Sequence, residues 1–145
     1  MNVLSLFDGM SCGRIALERS GIKVDKYYAS EIKPYAIEVT QANYPDTIQL
    51  GDVQFITKET FGNTKIDLLI GGSPCQDFSA ANLVQSGLKG TKSSLFYEYL
   101  RLLKELKPKY FLLENVKMKK EYQDALSELL GVEPVLFDSY LVSGV

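Results

Sequence analysis

The chain has 145 residues, 46% of them hydrophobic, enough to bury a sizeable core as one domain, since single domains commonly have ~100 to 150 residues. Lys and Arg number 16 against 18 Asp and Glu, a net charge of −2, so charge alone gives no pointer to nucleic acid. No apolar run approaches the ~20 residues of a membrane span, and Met1-Asn2-Val3-Leu4-Ser5 lacks the basic flank of a signal peptide, so a soluble, cytoplasmic protein is expected.

In chain order, short apolar runs alternate with longer amphipathic stretches, the pattern of parallel strands joined by crossover helices in an α/β domain. A strand from Asn2 to Phe7 meets a turn at Asp8 and Gly9, and a helix from about Cys12 to Ser20 stops at Gly21. A second strand covers Tyr27 to Glu31. Pro34 suits the first turn of a helix through about Asn43, which Tyr44, Pro45 and Asp46 break before a short strand from Ile48 to Leu50. Ile66 to Ile70 is the fourth strand, and Gly71-Gly72-Ser73-Pro74 opens an aperiodic loop of about twenty residues, a length that is usually functional or mobile. Leu95, Phe96, Tyr99, Leu102, Leu103 and Leu106 recur at helical spacing from Ser93 to Leu106, with Pro108 closing the segment. Tyr110 to Leu113 is the fifth strand, a charged helix runs from about Lys119 to Leu130 and stops at Gly131, and Pro134 precedes a sixth strand through about Ser139. Residues 1–145 thus read as one domain without repeats, low-complexity tracts or a closing element after the last strand.

Phe7-Asp8-Gly9-Met10-Ser11-Cys12-Gly13 follows a strand and opens a helix, where glycines admit a ligand close to backbone N–H groups and the helix N-terminus favours negative charge. The full G-x-G-x-x-G spacing is lacking, so an ordinary tight turn competes with a cofactor cradle. Glu31 ends the second strand, where a carboxylate can bind ribose hydroxyls, and Asp52 ends the third, where it can accept from a base amino group; each is equally readable as a cap or solvated acid. In open α/β sheets the ligand crevice lies at the carboxyl ends of the strands, so the first turn, Glu31 with Ile32, and Asp52 with Val53 all face it.

The fourth strand delivers Pro74, Cys75 and Gln76 to the same edge. A cysteine there can be a nucleophile if its thiolate is stabilised, but there is no histidine in the sequence to activate it, and free cysteine is more often an inert small hydrophobe. Cys12, in the glycine turn, is expected to have a structural role, its size suiting close packing against a ligand or the sheet. The two cysteines form no C-x-x-C pair, so free thiols and no metal are expected. The fifth strand leads into Glu114-Asn115-Val116 beside the Cys75 loop. Burial of Glu114 would raise its pKa, as suits a proton donor, while an unburied Glu would merely cap the next helix.

Together these residues resemble the cytosine-C5 methyltransferase family across the whole chain. Phe7-Asp8-Gly9-Met10-Ser11-Cys12-Gly13 is similar to its first motif, Gly72-Ser73-Pro74-Cys75-Gln76 to its Pro-Cys nucleophile motif, and Glu114-Asn115-Val116 to its Glu-Asn-Val motif. The wording resembles in particular the branch that holds the animal de novo enzymes with bacterial and phage proteins; the tRNA-modifying branch usually has Pro-Pro-Cys, where Ser73 stands here. The resemblance implies a Rossmann-like, mostly parallel sheet with helices on both faces and S-adenosylmethionine as cofactor. Phe7 and Ile32 would line the adenine, with Glu31 on the ribose, Asp52 on the adenine amino group, and Asp8, Gly9, Gly13, Val53, Pro74 and Leu95 completing the pocket. It further implies that Cys75 adds to C6 of a flipped cytosine, that Glu114 protonates N3, and that Asn115 orients the strand end.

In that family an arginine-rich segment, a seventh strand lying between the fifth and sixth, a target-recognition domain and a final cofactor motif follow. None is in this sequence, so the expectation is a fold truncated after its sixth strand, a missing or separately supplied recognition domain for the DNA, and a partner chain, second polypeptide or re-paired strand at the unfinished sheet edge. Methylation by the 145 residues alone is expected to be weak or absent. A non-catalytic cofactor-binding regulator and an RNA cytosine-C5 methyltransferase are the alternatives, and a restriction-modification context fits the family.

Overall fold

In the computed structural model, which describes residues 1–72, 94–116 and 120–138, five strands pair in parallel in the order β3-β2-β1-β4-β5. They are β1 (Asn2–Leu6), β2 (Lys26–Ser30), β3 (Ile48–Gln49), β4 (Leu68–Gly72) and β5 (Tyr110–Glu114). The central pairings run Val3↔Tyr27 and Val3↔Leu68, and on the outer side Leu68↔Tyr110 through Gly72↔Glu114. The chain divides into two compact units, Met1–Asn115 with the whole sheet, and Val116–Val145.

Alternation along the strands sends side chains to two cores, as expected for a sheet covered on both faces. Leu4, Leu6, Tyr28 and Leu69 point to one, joined by Val53, Ile56 and Phe61 from two short 3-10 turns and by Tyr99 and Leu102 of helix α3 (Ser94–Leu106). Val3, Tyr27, Ala29, Leu68 and Ile70 point to the other, where Leu17 of helix α1 (Cys12–Arg19) packs. Gly13 makes that approach possible: a β-carbon there would lie 2.5 Å from Ile70 Cδ1.

Helix α1 closes as the Gly21 position demands. Gly21, at φ +70°, donates to Glu18 O, and the Ile22 N–H reaches back to Leu17 O, the paired bonds of a Schellman ending. Helix α2 (Pro34–Asn43) begins with its proline at the first position, where no N–H is missed. Arg14, buried on α1, pairs with Asp46, donates to Thr47 Oγ1 at 2.7 Å and lies over the rings of Tyr27 and Tyr44, fastening the segment that leads to β3.

Two expectations, for the fourth and the sixth strand, are corrected. The fourth strand is two residues displaced: it continues through Gly71 and Gly72 because those glycines are paired with Leu6 and with Leu113 and Glu114, and ladder pairing overrides their turn preference. The stretch between β3 and β4 contains two 3-10 turns, Val53–Phe55 and Lys58–Phe61, the second fixed by the Thr57 N–H donating to Thr60 Oγ1 at 3.0 Å. In the second unit, helix α4 (Lys120–Leu130) forms, but residues 133–138 make no strand; Val135, Leu136 and Phe137 are 90%, 72% and 69% exposed. A strand exists by virtue of its ladder, and no pairing of the sheet includes these residues, while Pro134 removes one donor from the run.

Candidate active site at the carboxyl edge of the sheet

Because all five strands are parallel, Leu6, Ser30, Gln49, Gly72 and Glu114 end on one edge. Sheet order reverses between β1 and β4, and ligands of open α/β sheets bind in the crevice at such a reversal. The turn after β1 flanks it on one side. On the other are the end of β4 and, across the Gly72↔Glu114 pair, the end of β5.

The turn after β1 has an unusual backbone. Phe7, Gly9 and Ser11 all have positive φ, at 56°, 59° and 61°. Nothing lies within 4 Å of where a Gly9 side chain would project, so its glycine serves conformation and leaves the space above the turn open. The Gly9 N–H donates to Glu31 Oε2 at 2.9 Å, while Glu31 Oε1 accepts from the N–H groups of Ile32 and Lys33 at 2.8 and 2.9 Å. Glu31 therefore ties the ends of β1 and β2 together, and both its carboxylate oxygens lie among the first residues of the two connections. Ile32 beside it is 68% exposed, an apolar side chain open to a ligand.

Asp52 accepts from the Gln54 N–H at 2.9 Å and caps the first 3-10 turn, so its capping role is real and positions its carboxylate after β3. Val53, read from sequence as a pocket residue, turns its side chain into the core, where it is 3% exposed. Leu95 and Phe7 are partly buried against the same core. Asp8 is held inward: Oδ1 accepts from the Tyr27 hydroxyl at 2.8 Å, and Oδ2 from Ser11 Oγ. Burial, and then the Asp8 charge, push the Tyr27 hydroxyl well above its ordinary pKa.

At the far side, a β-carbon on Gly72 would stand 2.8 Å from Glu114 Oε2. Only glycine at position 72 lets that carboxylate lie over the end of β4, three residues before Cys75 in sequence. Glu114 is exposed, as are Tyr110 and Leu112 on the same face of β5, so burial of the carboxyl is not found in this structure. Phe111 and Leu113 take the side of the core that holds Leu69 and Tyr99, and Tyr110, Leu112 and Glu114 alternate onto the other face of β5. Asn115 next to it is half-buried. Pro74, Cys75 and Gln76 lie outside the described residues. Cys12 is exposed at the start of α1, not packed against the sheet, because Ser11 and Arg14 take the inward positions. Among the described residues no cluster of metal-ligating side chains occurs.

Residues 1–129 match the family described as C-5 cytosine-specific DNA methylase. The chain belongs to that family. The orphan methyltransferase M.Rho11sI of Bacillus phage rho11s is 40% identical over 119 residues, covering 81% of this chain and 23% of its own. The type II methyltransferase M.NgoBV of Neisseria gonorrhoeae is 41% identical over 118 residues, covering 79% and 27% respectively. M.FnuDI of Fusobacterium nucleatum, another type II methyltransferase, is 34% identical over 132 residues, with 90% of this chain and 37% of its own covered. The chain thus spans about a quarter to two fifths of the length of these bacterial and phage relatives. The fold of S. pombe Dnmt2 methyltransferase superposes with a TM-score of 0.67 at 23% identity, over 90% of this chain and 39% of that one. The Rossmann-like methyltransferase architecture expected from the sequence is the one observed.

Within this family member, three side chains that hold the site carried no signal in sequence patterns. Tyr27 and Thr40 look like core residues of a strand and a helix, and they are, but their hydroxyls are spent on the first turn. Arg101 looks like a solvated helix cation. Its guanidinium instead donates to the carbonyls of Val53 and Ile56 at 3.3 and 2.8 Å while Glu98 and Glu105 flank it, so α3 grips the segment after Asp52.

Proposed function

We propose that this chain is the catalytic portion of a DNA (cytosine-5-)-methyltransferase, with S-adenosylmethionine over the first turn and the target base between Cys75 and Glu114. The observation that carries the reading is the pairing of Gly72 with Glu114 across the crevice from the open Gly9 turn, in a chain whose residues 1–129 match the family. The cofactor test is one of fit. The turn offers open space above Gly9, Glu31 presents a carboxylate suited to a ribose diol, and Ile32 offers an apolar face for a purine, with Asp52 following β3. Phe7, Asp8, Gly9, Gly13, Glu31, Ile32, Asp52, Val53, Pro74 and Leu95 form this half of the site, several of them by supporting it from below. When bound, S-adenosylmethionine supplies an electrophilic methyl group.

The chain's own groups do the rest. A cytosine in a duplex hides C6 within the stack, so the base must be extruded into the crevice. The Cys75 thiolate forms a bond to C6, and Glu114 delivers a proton to N3 as the ring gains electron density; later the C5 proton leaves to a base, the S–C6 bond breaks, and N3 gives its proton back. Glu114 is exposed in this structure, and a base entering the crevice would displace water from its carboxyl. Asn115 orients the strand end. With a net charge of −2, contacts to phosphates and base sequence belong to a recognition part beyond these 145 residues or to a second polypeptide, and the working compartment is the cytoplasm.

A duplex oligonucleotide containing 5-fluorocytosine tests the chemistry, because fluorine at C5 blocks the release step and leaves the protein bound through sulfur. Incubation with S-adenosylmethionine, with the remaining methyltransferase portion supplied, is expected to give a denaturant-stable adduct that Cys75→Ser abolishes. Cofactor binding with no adduct would overturn catalysis in favour of a regulatory binding role, and an adduct only on RNA would overturn the substrate.

A further inference from the structure

We infer that Tyr27 and Thr40 are positioning residues for the cofactor, acting through Asp8 and Ser11 on the backbone of the first turn; the inference rests on the cofactor reading above. Ser11 stands at the N-cap of α1, where a serine normally turns its hydroxyl to the helix's own N–H groups, yet it makes no such bond and is in the left-handed region at φ 61°. Its hydroxyl goes to Asp8 Oδ2 and to Thr40 Oγ1, the latter at 3.0 Å. Asp8 Oδ1 takes the Tyr27 hydroxyl at 2.8 Å, so both carboxylate oxygens are occupied by the protein. Thr40 Oγ1 also lies 3.5 Å from Gly9 O.

Ser11, Tyr27 and Thr40 are 0%, 1% and 1% exposed, too deep to touch a ligand. What they determine is the path of Phe7 to Ser11, where two non-glycine residues with positive φ persist because surrounding bonds over-determine them. The same path sets the direction of the Gly9 N–H toward Glu31. Tyr27 lies on β2 and Thr40 on α2, the two elements on either side of Glu31 and Ile32, so the chain of hydroxyls couples the first turn to both. A tyrosine ring alone would fill its place in the core. The hydroxyl, aimed at Asp8, is the part that packing does not require.

Titration calorimetry of the 145-residue chain with S-adenosylhomocysteine, below the unfolding transition of every variant, separates the possibilities. Tyr27→Phe and Thr40→Val are each expected to weaken binding roughly tenfold, the effect of losing about one well-placed hydrogen bond, while Thr40→Ser, which keeps the hydroxyl, binds within about twofold of the parent. Equal affinities for parent, Tyr27→Phe and Thr40→Val would overturn the positioning role and leave the cofactor reading standing. So would a Thr40→Ser variant as weak as Thr40→Val, which would mark a packing effect. Failure of the parent chain to bind even with the remaining methyltransferase portion supplied would overturn the cofactor reading and this inference together.

Discussion

On the β1–β2 side of the crevice the polar groups are tied to one another: Asp8 to Tyr27 and Ser11, Ser11 to Thr40, Gly9 to Glu31. On the β4–β5 side the corresponding carboxylate, Glu114, is exposed, and the alternate residues of its strand, Tyr110 and Leu112, are 50% and 62% exposed. The first region is preorganised by side chains from neighbouring elements, so its backbone can hold an uncommon conformation before any ligand arrives. The second has its geometry fixed by strand register and by a glycine, with its carboxylate open to solvent. Under the proposed function the two regions divide the tasks, the tied β1–β2 side holding the cofactor and the open β4–β5 side meeting the base.

The comparison breaks most readily at the open half. Glu114→Gln is expected to lower methyl transfer about 10² to 10⁴-fold in the completed enzyme, the usual worth of a proton-transfer group, while S-adenosylhomocysteine binding is unchanged. An equal loss of both, measured by single-turnover transfer and calorimetry, would show that the halves are not separable. Gly72→Ala is expected to cost about tenfold in kcat with little change in melting temperature, since the added carbon meets only the flexible end of Glu114, which swings aside and leaves its working position. An unaltered kcat would show that the glycine does not set the working position of the carboxylate.

In the rigid half the effects are smaller and fall on stability. Arg101→Ala is expected to lower stability by about 1–3 kcal/mol, because two carbonyls lose a charged donor, and urea denaturation would report it. Burial and the Asp8 charge raise the Tyr27 pKa in the folded state, so the stability linked to its protonated form is fully present below the ordinary pKa of ~10 and is lost as pH rises beyond it. Thermal melts from pH 9 to 11 are expected to fall less steeply for Tyr27→Phe than for the parent. The smallest effect belongs to Asp46, whose carboxyl is held below the ordinary range by the Arg14 hydrogen bond. Its contribution is present above the unfolded pKa of ~3.9 and disappears as pH falls through the lower folded value, so Asp46→Asn flattens the acid limb slightly, the side chain being 70% exposed.

Elements with a strong local signal were legible in the sequence. Pro34 and Gly21 bounded their helices, and the helical spacing from Leu95 to Leu106 gave α3. The convergence of Gly9, Glu31 and Glu114 on one edge followed from parallel strand order alone. What depended on partners was not legible. Gly71 and Gly72 read as a turn but are held in the ladder, Gly71 on both sides and Gly72 against Glu114, and the run from Pro134 reads as a strand but forms none through residue 138. Likewise the hydroxyls of Tyr27 and Thr40 and the guanidinium of Arg101 have ordinary local contexts; their roles arise from groups 19 to 48 residues away in sequence. Of the two packings expected for Cys12 the one against the sheet is not found, because helix phase, not size, turns it outward.

A crystal structure of the protein with S-adenosylhomocysteine is the most direct measurement. The adenosyl group is expected against the Gly9 turn and Ile32 with its ribose on Glu31, and Cys75 Sγ and the Glu114 carboxylate should open into the same crevice. An adenosyl group bound elsewhere, or the thiol and the carboxylate facing separate surroundings, would contradict a shared site at this sheet edge.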